Sequence, residues 1–344
     1  MVRAKPRFQD KFGNVSKPPK EKIKDQYRFF AEKEVRGRCQ IYEDLGIRIA
    51  DDPDLIEMIA TFPKDKRQPN LILASLRKFL GHVPTFEEVR MTMLDKPKDL
   101  MQIVFSHSTQ TNEPGRCATL LPLLCRLPQP LALLEIGSSA GLCLIPDRYN
   151  YAIDNTFLFG NRSNPDFILH CDIHGPVPVP KALPQITWRA GLDRNPLDVN
   201  DPEQREWLET LVWPSEHNRL SRLRAAMNLV TTEELWIEKG DLHTKDLDRL
   251  CRQAPKDATL VVFHSAVLSY TLDKASRDVF ARRIGNLADF WLSNESPTLF
   301  SNFGNDLAPE RPKGDFLMAL NGRPVAWTDP HGASLTWIER AEPI

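Results

Sequence analysis

Hydrophobic positions fall into two textures along the chain. From Lys24 to about Leu80, apolar residues recur at helical spacing, as in Leu55, Met58 and Ile59 or Leu73, Leu76 and Leu80, which lines one face of a helix. Asp52-Pro53 supplies a cap followed by a first-turn proline, and Asn70 is placed to open a helix over Leu71 to Leu80 that Gly81 closes. Further helix is expected after His82, followed by a polar loop from Ser106 to Gly115. No chemistry is visible in this part, which reads as a helical packing module or lid.

Beyond Pro128-Gln129-Pro130 the texture changes to short apolar runs bounded by Gly, Pro and Asp, the pattern of buried strands. Seven are expected: Leu131–Ile136, Phe167–Cys171, Leu235–Glu238, Thr259–His264, Thr298–Phe303, Phe316–Leu320 and Ser334–Ile338. Helices are predicted after Asp201-Pro202, after Ser215, and from about Asp273 to Trp291. Turn signals at Asn321–Pro324 and Asp329–Gly332 make the last two strands an antiparallel pair. The fold expected is α/β, a doubly wound, mostly parallel seven-stranded sheet. It is preceded by a basic tail over residues 1–23 and a helical module over 24–127, and a helical insertion near 189–230 interrupts an α/β domain over 128–344. In such sheets the ligand crevice lies beyond the carboxyl ends of the strands.

Charge and cysteine usage narrow the partners. With 45 Lys+Arg against 46 Asp+Glu, the chain lacks the basic footprint of a dedicated nucleic-acid binder. No apolar run approaches the roughly 20 residues that cross a bilayer. Six scattered cysteines without a CxxC pair read as reduced thiols, so a cytoplasmic protein acting on a small molecule is expected.

The stretch Glu135-Ile136-Gly137-Ser138-Ser139-Ala140-Gly141-Leu142 carries the strongest chemical signal. A buried strand ends in an acid and a glycine turn, where backbone N–H groups approach a ligand closely and the start of a helix favours anionic groups. The glycines stand four apart, unlike the G-x-G-x-x-G of dinucleotide sites. This arrangement resembles motif I of class I S-adenosylmethionine-dependent methyltransferases, although Ser139 stands where that loop has its middle glycine. The resemblance implies S-adenosylmethionine as cofactor, held by Glu135, Gly137, Ser138, Ser139 and Gly141. It further implies ribose recognition by Asp172 after the second strand, and adenine contact by Asp241 and Leu242 after the third.

On the substrate side, His264 and Tyr270 follow the fourth strand and His331 lies in the last turn, all candidates for a base. Arg189, Asp193 and Asp198 form a polar cluster in a segment that reads as a loop, where an Arg fork suits an anionic or zwitterionic substrate. His170, Asp172 and His174 alternate as metal ligands on a strand would, but lack a fourth ligand at short spacing, and no metal is expected.

The wider pattern resembles the domain of unknown function 2332 family. The matching stretches are Glu135–Leu142 with Asp147-Arg148-Tyr149, Arg189–Asp193 with Pro196-Leu197-Asp198, Val212-Trp213-Pro214 with Arg219 and Arg222-Leu223, Gly240-Asp241, His264–Tyr270, and Pro330-His331-Gly332 with Trp337. The chain departs from that pattern at Cys143 and Ile145-Pro146. This resemblance implies a methyltransferase-like fold and no particular reaction. Two other readings stand beside the methyltransferase: a non-catalytic nucleotide-binding module of the same fold, and an esterase in which Ser139 is the centre of G-x-S-x-G, with Asp241 and then His264 or His331 following in chain order.

Overall fold

A computed structural model describes residues 19–154, 156–159, 167–268, 273–299 and 315–338. The chain divides into two compact units, one comprising residues up to Gln110 together with Glu206–Leu220, the other Thr111–Arg205 together with Ser221 onward.

The first unit is helical. Helix α1 (Pro19–Phe29) continues into a π-helical turn, Phe30–Val35, and is followed by α2 (Gln40–Asp51), α3 (Pro53–Ala60), α4 (Pro69–Leu80), α5 (Phe86–Asp95) and α6 (Pro97–Ser106). Of the basic tail, residues 1–18 lie outside the described residues, and the rest is already helix because Pro19 opens α1, where a missing N–H costs nothing. Asp52 caps α3 as its sequence implies, accepting from the N–H groups of Asp54 and Leu55, and Gly81 closes α4 at φ +77°. Asn70 does not open α4, which starts at Pro69; its side chain instead accepts a hydrogen bond from Trp213 Nε1 at 3.0 Å. The segment Glu206–Leu220 joins this unit because its apolar residues Trp207, Leu208 and Leu211 are buried. Arg77 also donates to the carbonyls of Thr210 and Val212 at 2.9 and 2.7 Å.

The second unit is built on one sheet with eleven strands among the described residues, rather than seven. They are β1 (Leu131–Ile136), β2 (Asn150–Ile153), β3 (Thr156–Phe159), β4 (Ile168–His174), β5 (Ile186–Asp193), β6 (Trp236–Lys239), β7 (Thr259–Ser265), β8 (Phe290–Glu295), β9 (Phe316–Leu320), β10 (Arg323–Thr328) and β11 (Ser334–Trp337). Their order is β3-β2-β4-β11-β10-β9-β8-β7-β1-β5-β6. The run β6-β5-β1-β7-β8 is parallel throughout, and β11-β4-β2 is parallel as well. The molecule is thus a mixed α/β protein with a large, mostly parallel sheet. Helix α7 (Arg116–Leu124), expected with the helical module, belongs to this unit; α8 (Pro202–Leu211) and α9 (His217–Val230) follow β5, and the second unit also holds α10 (Asp246–Gln253) and α11 (Lys274–Ile284).

Five strands, β2, β3, β5, β8 and β10, are not among those expected, and four of them have a physical reason. After Gly141 the chain forms two three-residue turns, Leu142–Leu144 and Pro146–Arg148, rather than one helix, because Pro146 forbids its continuation, and β2 follows. The segment Arg189–Asp193, read as a loop, is the end of β5, a central strand whose glycine and charged residues hide its period. The helix expected to reach Trp291 ends at Ile284, and β8 begins at Phe290; its polar residues Ser293, Asn294 and Glu295 are all buried. The strand expected over Thr298–Phe303 begins instead as a turn, Pro297–Leu299, and residues 300–303 lie outside the described residues. Pro324, read as a turn, lies in β10 at a register irregularity that accommodates its missing donor, so the last expected pair, β9 and β11, is separated by β10 and antiparallel to it on both sides.

Strand alternation sorts the faces of the parallel run. Ala132, Leu134 and Ile136 of β1, Ala190 and Leu192 of β5, and Val262 of β7 pack into one core with Leu247 and Leu250 of α10 and Phe280 and Ile284 of α11. Glu135, Arg189 and Gly191 therefore belong to the opposite face. Among the described residues no helix is long and apolar enough to cross a membrane.

Candidate functional site

The carboxyl ends of three adjacent strands each carry an acid. Glu135 is the penultimate residue of β1, Asp193 the last of its neighbour β5, and Asp241 follows β6 directly after Lys239 and Gly240. Between them the chain turns sharply, with positive φ at Gly137 (+73°), Ser139 (+49°) and Gly141 (+74°). The turn is pinned to β5: Gly137 N–H donates to Leu192 O at 2.8 Å and Ser139 N–H to Asp193 Oδ2 at 2.8 Å, while Asp193 Oδ1 takes Asn195 N–H at 2.7 Å. A Cβ on Gly137 would stand 2.4 Å from Val267 Cγ2, and one on Gly191 would stand 2.3 Å from Ser138 Oγ. Only glycine fits at either place, so the turn lies directly against β5 and against the loop after β7. That loop is also strained, with Ala266 at φ +59°. Non-glycine residues held in the left-handed region cluster at functional sites, and two sit here on adjoining strand ends.

The segment Asn112–Arg116, read from sequence as part of a polar loop without chemistry, is the other wall. Asn112 Nδ2 donates to Ser139 Oγ at 2.8 Å and its Oδ1 accepts Ala140 N–H at 3.2 Å. The Glu113 side chain is fully buried, with the Gly115 N–H at 3.0 Å, Arg222 Nε at 3.4 Å and His331 Nδ1 at 3.6 Å. Arg116, 6 % exposed, donates to Pro330 O at 2.9 Å and Ser265 O at 3.1 Å, which ties the ends of β7 and β10 together. An available signal was the placement of Asn112-Glu113-Pro114-Gly115 at the start of α7, which apart from Arg116 and Thr119 is apolar, so these polar groups have little water to point into.

Burial governs the electrostatics. Desolvation pushes the Glu135 carboxyl well above the usual range, the neighbouring Cys143 adds to this, and the Arg116 guanidinium opposes it. Glu135 Oε2 and Ser138 Oγ are both buried without a hydrogen-bond partner. A carboxyl that keeps its proton in the folded state but loses it at the ordinary pKa when unfolded costs stability as pH rises between those two values. Glu135→Gln is therefore expected to stabilise the protein at neutral pH and to flatten the fall in stability above about pH 4.3. Urea unfolding of both proteins across pH 4 to 8 checks this, and parallel curves would refute the assignment.

The remaining sequence candidates separate. Asp172 is on β4, with β11, β10, β9, β8 and β7 between it and β1, and is exposed, so it does not converge with Glu135 and Asp241. Sequence order misleads because β2, β3 and β4 are laid at the far end of the sheet and β5, not β4, pairs with β1. His170, Asp172 and His174 are exposed on β4, and among the described residues no group of three His, Cys, Asp or Glu is arranged to hold a metal ion. His264 is fully buried with both ring nitrogens engaged: Nε2 accepts from Trp291 Nε1 at 2.9 Å, and Nδ1 faces Glu295 Oε1 at 2.7 Å. Arg189 is on β5 rather than in a loop, and its Nη2 bonds both oxygens of Asp147 at 2.6 and 2.5 Å. Asp198 lies apart in its own turn, accepting Asn200 N–H at 2.8 Å. Tyr270 lies outside the described residues. Asp241 meets Arg194 Nη2 at 2.7 Å; burial alone would raise its pKa, but the His243 N–H and Arg194 outweigh it and hold the carboxyl below its ordinary value. Leu242 is buried and borders a groove of about 250 Å³ lined also by His243, Ala275, Ser276, Val279, Phe280 and Arg283.

These features define a mixed α/β protein whose buried polar groups gather at the carboxyl rim of a parallel run of strands. The chain belongs to the family described as an uncharacterized protein conserved in bacteria, domain of unknown function 2332, whose model matches residues 24–337. A search of curated proteins found no match to the chain.

Proposed function

We propose that the protein binds S-adenosylmethionine at the rim of β1, β5 and β6 and passes its methyl group to a small-molecule acceptor. The observation that carries this reading is the alignment of Glu135, Asp193 and Asp241 on three adjacent parallel strands, the first of which ends in the glycine turn. Asp193 takes the role expected of Asp172, because β5 is the strand that follows β1 within the parallel run. The run β6-β5-β1-β7-β8, with the glycine turn on its central strand, supports a methyltransferase-like, Rossmann-type core.

The donor set fits this cofactor. Glu135 Oε2 and Ser138 Oγ are buried polar atoms awaiting a partner beside the turn, and Asp193 and Asp241 supply acceptors for hydroxyl and amino groups. The groove beside Leu242, at about 250 Å³, falls below the roughly 300 Å³ at which small-molecule sites begin, so it suits one flat ring rather than a whole nucleoside. Bound there, the cofactor supplies an electrophilic methyl group on a sulfonium. The chain supplies position and a negative potential from the carboxyl groups of Asp193 and Asp241. His264 has no nitrogen to spare for proton transfer, which leaves His331, beside Glu113, of the two histidines expected as a base.

Thermal unfolding with added ligand tests the reading. At a hundred times its dissociation constant, S-adenosylmethionine or S-adenosylhomocysteine is expected to stabilise the protein by about 2.7 kcal/mol, with NAD giving nothing. Asp241→Asn should weaken the shift and Asp172→Asn should leave it intact; no shift with either ligand defeats the proposal. Stabilisation without methyl transfer to any acceptor would mark a binding module. A second reading is favoured by the positive φ of Ser139 at the centre of Gly137–Gly141, the strain of a hydrolase nucleophile turn. Hydrolysis of a simple ester that disappears in Ser139→Ala would establish that reading instead.

A further inference from the structure

We propose that Arg116 is the cationic floor of an anion site, and that the small molecule which accepts the methyl group carries an acid group that binds there. The anion site stands on the geometry of the rim alone; giving its acid group to the acceptor rests on the methyl-transfer reading.

Arg116 opens α7 and is 6 % exposed. Its Nε and Nη1 are spent on neutral acceptors, the carbonyls of Pro330 and Ser265 at 2.9 and 3.1 Å. Among the described residues its Nη2 meets no acceptor, and no carboxylate pairs with the group. A guanidinium cannot shed its proton, and a charge held out of water is costly unless an opposite charge meets it. Arg189, buried to a similar degree, has its counter-ion in Asp147. Two acids of the wall do not serve Arg116 in that way. Glu113 gives its carboxylate to the Gly115 N–H, Arg222 and His331. Glu135 is pushed well above the usual carboxyl range by burial, against the pull of Arg116 itself, and so stays protonated.

What surrounds the guanidinium suits an anion. Glu135 Oε2 and Ser138 Oγ are buried without partners, and a protonated carboxyl and a hydroxyl can both donate to an incoming oxygen. They adjoin, because Gly191 faces Glu135 across the β1–β5 pair and a Cβ there would stand 2.3 Å from Ser138 Oγ. A carboxylate matches the planar fork that Arg offers. Side also matters. Asp193 and Asp241 stand on β5 and after β6, to one side of β1, where the cofactor's hydroxyl and amino groups are placed. Arg116 holds the carbonyl at the end of β7, on the other side. The chain thus divides its charges, carboxylates toward the cofactor and a guanidinium toward the acceptor.

Thermal unfolding of the full chain with acetate replacing chloride at fixed ionic strength tests the site, with acetamide as the neutral isostere. Acetate is expected to stabilise saturably and acetamide to do nothing. Arg116→Gln removes the charge while keeping a donor, and should weaken acetate binding about tenfold or more. Circular dichroism shows whether that variant folds; if it does not, the contrast between acetate and acetamide in the native chain decides. The anion site is overturned if acetate fails to stabilise the native chain, if acetamide matches it, or if folded Arg116→Gln binds acetate as the native chain does. S-adenosylhomocysteine separates the two sources of an acid group. Acetate binding that is unchanged in its presence supports the acceptor, whereas competition between the two would put the cofactor's own carboxylate on Arg116 and overturn the assignment to the acceptor. No stabilisation by S-adenosylhomocysteine defeats the methyl-transfer reading, and the acceptor with it, while the acetate series still decides the anion site.

Discussion

Glu295→Ala is expected to destabilise the protein by about 3–5 kcal/mol, because one buried carboxylate oxygen organises the whole end of β7. Glu295 is 2 % exposed, and its Oε1 accepts from Val267 N–H at 2.9 Å and Leu268 N–H at 3.2 Å and faces His264 Nδ1 at 2.7 Å. The indole of Trp291 can only donate, so His264 Nε2 carries a lone pair and its Nδ1 proton points at Glu295. Truncation therefore strands three donors in a largely buried site and removes the anchor of the loop that lays Val267 against Gly137. Glu295→Gln keeps the acceptor and the shape, and should lose markedly less. Urea midpoints for the two variants measure the difference; a loss under about 1 kcal/mol for Glu295→Ala would show that the loop is held by other means.

Arg189→Ala is the second large effect, expected at about 3 kcal/mol. One nitrogen, Nη2, meets both oxygens of Asp147, and the side chains are 9 % and 10 % exposed. Removing the guanidinium leaves a buried carboxylate with only Arg148, at 3.4 Å, for company, which places the loss at the low end of what breaking a buried pair costs. Arg189→Lys should recover only part of the loss, since it keeps a charge for Asp147 but lacks the second donor, Nη1, that reaches Ile186 O at 3.3 Å. The same variants separate structure from ligand contact: where Arg189 serves only Asp147, ligand-induced stabilisation survives in whatever fraction remains folded. Equal destabilisation by Arg189→Ala and by a surface Arg→Ala control would refute the buried-pair account.

Much of the fold was legible from local patterns. The strands β1 and β9 begin and end where the apolar runs do, and the caps at Asp52 and Gly81 follow from residue type. Each is decided by neighbours within a few residues, where steric and hydrogen-bonding rules act directly. Strands β5 and β8 escaped because their period is broken by residues whose burial makes sense only with distant partners. Asn294 illustrates this: its side chain donates to Ser265 Oγ at 3.2 Å and accepts from Thr328 at 2.7 Å, on two other strands.

The candidate site divides the same way. The chain by itself determined the glycine turn after β1, the acids Glu135 and Asp241 at strand ends, and the α/β texture that puts a crevice beyond them, because all of these depend on backbone geometry close in sequence. Only the tertiary structure decided that Asp193 rather than Asp172 stands beside Glu135, that Glu113 and Arg116 close the wall, and that His264 is spent on Glu295 and Trp291. Strand order is set by which hydrophobic faces bury together across the whole sheet, and no run of neighbouring residues encodes that choice.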